Sequence, residues 1–541
     1  MKILSYLEEY DAPTSQIVFM TALSGLANAA ILAIINSAAE MISNNDIEAQ
    51  YFLLYLTTFV LYVYTQRYAL SQTVIAIEKF IRKVRVRIAD KIRSAELHFI
   101  ENSERGEMYT RLTQDSNLIS QSGLLLITAA QSGMVLVFSF LYLAWLSPIS
   151  FLMTIVFISL AVYIYLFYEK TISKQLHLAT QKEAKFFEYF SHLLDGFKEL
   201  KMNRQKSDDL FEHIDTLSQE TEKLKVNVGL QQVTTLMFSR MSFYLLLAIL
   251  VFVVPSFHAS HVDEIYKIST TILFIIGPIS MLVSSLPTVS QSNVALENLT
   301  ELETQLDGVI IEIYSQQQSM GSDFNEIQLE KATFSYPDKQ GKSLFSIGPI
   351  TLSIQKGEML FIVGGNGSGK STLLKLLTGL YYPTKGSVDL NSELIDRTQY
   401  ASYRSLFAII FTDFHLFDKL YGLSNIDDKQ VKELLRLMQL DKKTKYRAGE
   451  FTQLDLSTGQ KKRLAFVAAI LDNKPIYIFD ELAADQDPQF RQYFYEVILP
   501  DLKLKGKTII AVTHDDKYFH VADRVLKMEE GQLVHYDEGK H

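Results

Sequence analysis

The chain has 541 residues, 48% of them hydrophobic, with 34 Phe and 28 Tyr, which is too apolar for a disordered polymer. A formal charge of -9 excludes a general nucleic-acid binder, which needs a basic footprint to displace counterions from phosphates. With no cysteine, disulfides, thiolate metal sites and a cysteine nucleophile are excluded as well.

The start, MKILSYLEEYDAPT, mixes acids and a proline into a short apolar run and does not read as a cleavable signal peptide. Six later segments have bilayer length, near 16–39, 51–75, 121–145, 147–168, 233–257 and 266–288, against roughly 20 residues per crossing. The segments after the second and fourth spans are rich in Lys and Arg (Lys79, Arg82, Arg85, Arg87, Lys91, Lys182 and Lys185 among them), whereas EMISNNDIEAQ and WLSPIS hold none. The positive-inside tendency puts those basic segments, and with them the C-terminal half, on the cytoplasmic side.

Both basic segments, with KVRVRIADKIRSAEL and EAKFFEYFSHLLDGFKELKMN, combine alternating charge with helical spacing of apolar residues. They read as membrane helices continuing into the cytoplasm, and the breaks at ENSERG (101–106) and Asp195-Gly196 are places for a short docking element. Arg67 in the second span and Arg240 in the fifth are expensive at bilayer depth. Either they line a cargo chamber with Tyr62, Tyr64, Tyr68, Phe238, Phe243 and Tyr244, or they snorkel and pair within the protein. His258 and His261 in HASH are two histidines only, and a solvated loop is the favoured reading.

A Gln- and Ser-rich linker is expected over 312–323, separating a membrane domain over 1–311 from a soluble domain over 324–541. Beyond it, short apolar runs (LFIVG, IYIFD, TIIAVTH) alternate with helical stretches, the pattern of a parallel sheet wrapped by helices. In LFIVGGNGSGKSTLLKLL a strand runs into Gly364-Gly365-Asn366-Gly367-Ser368-Gly369-Lys370-Ser371-Thr372 and then into a helix, which is GxxxxGK[ST] in the context it requires. Its glycines aim backbone N–H groups at phosphate oxygens, Lys370 reaches the β and γ phosphates, and the Ser371 hydroxyl can ligate Mg²⁺. ATP with Mg²⁺ is the expected nucleotide partner. IYIFDE ends in Asp480, placed to hold Mg²⁺ directly or through water, and Glu481, placed to orient or deprotonate an attacking water.

Leu456-Ser457-Thr458-Gly459-Gln460 resembles the LSGGQ signature of ABC ATPases with Thr for one Gly. LHFIENSERGEMYTRLTQDSNLI (97–119) is similar to the first intracellular loop of half-size ABC exporters. The resemblance covers the whole chain. It implies an all-α six-helix transmembrane domain of the domain-swapped exporter type, fused to an α/β P-loop ABC ATPase domain. FTDFHLFD (411–418) and FDELAADQDP (479–488) look most like the bacterial exporters of cyclic peptides and siderophore precursors.

That likeness implies roles for single residues. Tyr336 matches the aromatic that stacks on adenine, and His514 the switch histidine at the γ-phosphate; Lys370, Glu481 and His514 make an active ATPase. Ser457, Thr458, Gly459 and Gln460 complete the nucleotide cage of a second, identical chain, so a homodimer in a bacterial inner membrane is implied. Three departures stand out. Asp485-Gln486 replaces the usual Ala-Leu ahead of Asp487, and Thr412 stands where a glutamine normally senses Mg²⁺, leaving Thr412 or the neighbouring Asp413 to take over part of that role. The segment from Thr412 to Leu456 is also short for an exporter's helical subdomain. The expected cargo is amphipathic and peptide-like. A lipid or drug exporter and a membrane-anchored ATPase that regulates a partner are the rivals.

Overall fold

A computed structural model describes residues 13–43, 49–103, 105–253, 265–308, 324–337, 343–423 and 426–536. The expected linker at 312–323 and the two histidines of HASH, His258 and His261, lie outside the described residues. Two compact units form, one of residues 1–85 with 110–300 and one of 86–109 with 301–541. The hairpin tip over 86–109 therefore packs with the C-terminal unit.

The first unit is helical. Long helices cover Thr14–Ser43, Ala49–Ser94, Ser116–Leu146, Pro148–Asp195, Arg204–Ala248 and Ile265–Asp307, so a helix stands at each of the six expected spans. By length and apolarity alone, among the described residues, Thr14–Met41, Arg111–Leu146 and Ile265–Asp307 are sufficient to cross a bilayer, and Pro148–Leu160 is a shorter apolar stretch. The second helix is diluted by Thr57, Thr58, Thr65, Gln66 and Arg67, which lowers its mean hydropathy. Its Phe52, Leu53, Phe59 and Val60 nevertheless face outward, an apolar exterior that lipid solvates. Hydroxyls inside these helices bond back one turn, Thr21 to the Ile17 carbonyl at 2.7 Å and Thr73 to Ala69 at 2.8 Å, which pairs them without water; the buried Ser139 hydroxyl makes no such bond.

The breaks follow local chemistry. Ser147 caps the fourth long helix by accepting from the Ser150 N–H, with Pro148 at the first helical position where its missing N–H costs nothing. Gly196 ends that helix, the six-residue helix Phe197–Met202 follows, and Asn203 caps the next long helix through the Lys206 N–H. The helices on either side of this break pack along each other and carry the ion pairs Lys182–Glu220 and Lys225–Glu183, the second at 3.0 Å.

The second unit is α/β. Its strands are β1 (Glu326–Pro337), β2 (Ser343–Gln355), β3 (Met359–Val363), β4 (Lys385–Leu390), β5 (Glu393–Leu394), β6 (Phe407–Ile410), β7 (Tyr446–Arg447), β8 (Glu450–Phe451), β9 (Ile476–Asp480), β10 (Thr508–Val512), β11 (Arg524–Glu529) and β12 (Gln532–His535). One sheet runs β12-β11-β3-β10-β9-β6, parallel except for the β11–β12 hairpin, and a second, antiparallel, runs β2-β1-β4-β5. Every residue of β3, β9 and β10 is buried, as expected of strands covered on both faces. Between Thr412 and Leu456 the described residues form one helix of more than two turns, Asp428–Leu437, seated on Val431 and Leu435.

Candidate nucleotide site

Consecutive parallel strands bring the site together at their C-terminal ends, where ligands bind in open α/β sheets. β3 leads into the glycine loop, β9 ends at Asp480, and β10 leads to His514. Gly364, Gly367 and Gly369 have φ of 149°, 78° and 102°, backbone that a side chain disfavours. A Cβ on Gly364 would lie 2.3 Å from the Met528 carbonyl, whereas one on Gly365 or Gly367 would meet open space. The loop is thus closed at its base and open along its rim. Lys370 begins the helix Lys370–Leu377 and is 7% exposed; its ammonium donates to the carbonyls of Gly364 at 2.8 Å and Gly365 at 3.1 Å.

The Ser371 hydroxyl donates to a carboxylate oxygen of Asp480 at 3.0 Å, and Asp480 is 2% exposed. Burial raises the Asp480 pKa, while hydrogen bonds from Ser371 and Thr412 pull against the rise. A buried carboxylate beside a hydroxyl at a helix N-terminus is a donor set that suits a hard divalent cation already carrying phosphate oxygens. The Ser368 hydroxyl in the loop is buried and makes no hydrogen bond, a further polar atom that fits an anionic ligand. Among the described residues no group of three or more His, Asp or Glu gathers as a metal cage.

Glu481 follows Asp480 with φ of 51°, a left-handed backbone for a residue with a side chain, and its N–H is bonded to the Val512 carbonyl at 3.1 Å. Its carboxylate lies 3.1 Å from His514 Nε2 and 3.9 Å from Lys370 Nζ. Lys370, Ser371, Asp480, Glu481 and His514 therefore stand together. Thr412 joins them, its hydroxyl 3.4 Å from the Asp480 carbonyl, while Asp413 is exposed and no hydrogen bond among the described residues ties it to Asp480.

Tyr336 lies on β1 and its hydroxyl is 3.1 Å from that of Thr372 in the glycine-loop helix. Around it sit Phe334, Phe345, Tyr381 and the imidazole of His98, whose ring is 5.7 Å from that of Tyr336. His98 belongs to the short helix Leu97–Asn102 at the tip of the hairpin over 86–109. From the same helix Glu101 accepts from the Lys375 ammonium at 2.7 Å and from the Tyr381 hydroxyl. Burial, with that carboxylate, pushes the Tyr381 hydroxyl well above its ordinary pKa. Sequence patterns carry no signal for this dock, because its partners are about 270 positions apart, Glu101 to Lys375 being 274.

The signature turn is a capping box. The Ser457 hydroxyl accepts from the Gln460 N–H and the Gln460 side chain accepts from the Ser457 N–H, at the start of the helix Thr458–Asp472. Thr458, where a glycine is usual, is exposed. Gly459 is packed so closely that a Cβ would lie 2.8 Å from the Asp485 carbonyl. Arg67 and Arg240 are exposed on the first unit. Beside Arg67, Gln66 reaches Gln131 at 3.4 Å, and Gln131, buried, donates to Ser24 at 3.1 Å, a polar chain between helices that attention to charge alone had missed.

Residues 16–284 match the ABC transporter transmembrane region and residues 347–484 the ABC transporter model. The ATP-binding protein SyrD of Pseudomonas syringae pv. syringae is 33% identical over 534 residues, covering 96% of this chain and 94% of that protein. The ATP-dependent lipid A-core flippase of Blochmanniella pennsylvanica (strain BPEN) is 24% identical over 495 residues, covering 86% and 80%. In fold, the chain resembles a bacterial Atm1-family ABC exporter solved with ATP bound, with a TM-score of 0.71 at 17% identity over 96% of this chain and 93% of that one.

Proposed function

The chain belongs to the ABC transporter family, with membrane region and transport ATPase in one polypeptide, and from that premise we propose that it exports an amphipathic, peptide-like cargo as a homodimer. The cargo class comprises cyclic peptides, lipopeptides and siderophore precursors, moved by alternating access across a bacterial inner membrane. The membrane domain would span 1–311 and the ATPase domain 324–541.

The observation that carries the reading is the division of the nucleotide site. One face of the ATPase unit gathers Lys370, Ser371, Asp480, Glu481 and His514, while Ser457 and Gln460 are bonded to each other and Gly459 to its own Gln486. The signature turn, standing at a helix start, would then serve the phosphates held by a second chain.

In this mechanism the loop Gly364–Ser371 holds the phosphates of ATP, with Lys370 turning from its glycine carbonyls to the β and γ oxygens, and Thr372 fixes Tyr336 for the base. Mg²⁺, held by Ser371 and Asp480, would neutralise charge developing on the transferred phosphate. Glu481 orients the attacking water and takes its proton, and His514 holds the Glu481 carboxylate towards the phosphate. Thr412 steadies Asp480 in place of the family's glutamine, and Asp413 is the other candidate for that role. Arg67 and Arg240 offer cations to acidic groups of the cargo. The FTDFHLFD and FDELAADQDP stretches favour a peptide over a lipid; the flippase among the relatives favours the lipid.

ATP-driven uptake into inverted membrane vesicles tests this, screening cyclic peptides, lipopeptides and siderophore precursors against a lipid probe, with Glu481→Gln as blank. Peptide uptake absent from the blank is the expected result. Uptake of lipid alone overturns the cargo class, and ATP hydrolysis without movement of any probe shifts the reading to a regulatory ATPase.

A further inference from the structure

Asp485 and Gln486, the two residues that depart from the usual sequence after Glu481, are bonded to the signature helix of the same chain. Lys462, on that helix and 3% exposed, places its ammonium 2.8 Å from the Glu481 carbonyl oxygen and 2.7 Å from the Asp485 carboxylate. Gln486, 6% exposed, donates to the Gly459 carbonyl at 2.9 Å and accepts from Arg463 at 2.7 Å. Arg463 also reaches Asp487 at 2.6 Å and lies over the Phe490 ring at 3.8 Å. From the other side Arg491 donates to the carbonyls of Ala484 and Gln486 and pairs with Asp515, the residue after His514.

We propose that Lys462 is a positioning residue for Glu481, and that its pairing with Asp485 makes the signature turn and the base of one chain move as a single body. Two observations carry this. The Glu481 backbone sits in the left-handed region, which a side-chain-bearing residue holds only where its surroundings fix it, and the buried ammonium is bonded to its carbonyl. A buried ammonium in turn requires an anion, and Asp485 supplies it. The inference rests on the proposed reading of Glu481 as base and of the signature turn as serving the partner chain's nucleotide. A signature turn drawn onto one nucleotide then sets, through Gly459, Gln486, Asp485 and Lys462, the base that acts on the other.

The test is steady-state ATP hydrolysis by the full-length protein in nanodiscs, with kcat, KM and the Hill coefficient for ATP read for Lys462→Met, Lys462→Gln, Asp485→Asn and Glu481→Gln. Lys462→Met is expected to lower kcat about 10- to 100-fold with KM changed less than about twofold, the mark of an interaction used after ATP is bound. Lys462→Gln, which keeps an N–H donor, is expected to recover part of kcat. Asp485→Asn keeps the carbonyl bond, so its kcat should fall only a few-fold, while the Hill coefficient drops towards one. Lys462→Met combined with Glu481→Gln should cost no more than Glu481→Gln alone.

If Lys462→Met and Lys462→Gln both retain wild-type kcat while Glu481→Gln is inactive, the proposal fails and the reading of the base survives. If Glu481→Gln itself turns over at the wild-type rate, the reading of the base has failed instead. Should Lys462→Met not fold, Lys462→Gln and Asp485→Asn decide: unchanged kcat and unchanged Hill coefficient in both overturn it.

Discussion

Replacing Glu101 by Gln isolates the dock between the hairpin tip and the ATPase unit. The helix Leu97–Asn102 buries no residue fully, so its hold depends on Leu97 and His98 against the aromatic cluster and on the two bonds of Glu101. Lys375 is 16% exposed and Glu101 30%, so water returns part of that ion pair and its loss costs about 0.5–1 kcal/mol. Tyr381 is 1% exposed, and trading a carboxylate acceptor for an amide oxygen removes the charge-assisted half of its bond, about 1 kcal/mol. Together that is roughly 1.5–2 kcal/mol, or about a 10- to 30-fold rise in local opening. Hydrogen exchange reads it directly: amides of residues 97–103 should exchange faster by that factor while those of β3 and β9 do not change. Unchanged protection over 97–103, or an equal rise in β3, would refute the reasoning.

Asp480→Asn should end Mg²⁺-dependent turnover, by at least about 100-fold, yet stabilise the nucleotide-free protein at neutral pH. The sign follows from the raised pKa: burial disfavours the charged Asp480 in the folded state, a penalty fully present above the folded pKa and relieved as pH falls to the unfolded one. Thermal denaturation at several pH values checks it, since the Tm advantage of Asn should shrink on acidification. Gly459→Ala should cost about 1–3 kcal/mol, because the new methyl meets the Asp485 carbonyl at 2.8 Å, and ATP turnover should fall with it. Thr412→Val is expected to lower kcat about 3- to 10-fold, the range of one neutral hydrogen bond, with Asp413→Ala near wild type. The reverse order would return the role to Asp413.

The glycine loop was legible because its chemistry is local: strand, glycines, lysine, hydroxyl and helix follow within twenty residues, and β3, β9 and β10 each stand where an apolar run announced them. Breaks in the long helices were equally local, at Ser147-Pro148 and Gly196. The antiparallel sheet of β1, β2, β4 and β5 was not legible, since Lys331 with φ of 45° and irregular register interrupt the alternation in β1 that would have marked it. Nor could spacing foretell that Glu101 finds Lys375, or that Lys462 finds both Glu481 and Asp485, because such pairs are made by topology. The sequence marks Asp485 and Gln486 only as departures from the usual Ala-Leu; in the fold they are the residues that Lys462 and Arg463 bond.

The helix Pro148–Asp195 has 48 residues and is zipped to a neighbour of 45, Arg204–Ala248, by paired charges far from its capped start at Ser147. At 1.5 Å per residue it is a rod about 70 Å long. A rod of that length is a lever: tilting it by about 5° about one end sweeps the other through about 6 Å, more than one helical turn. Stiffness thus becomes a selectable property. A Gly or Pro placed midway would insert a joint and absorb the stroke, whatever the side chains around it.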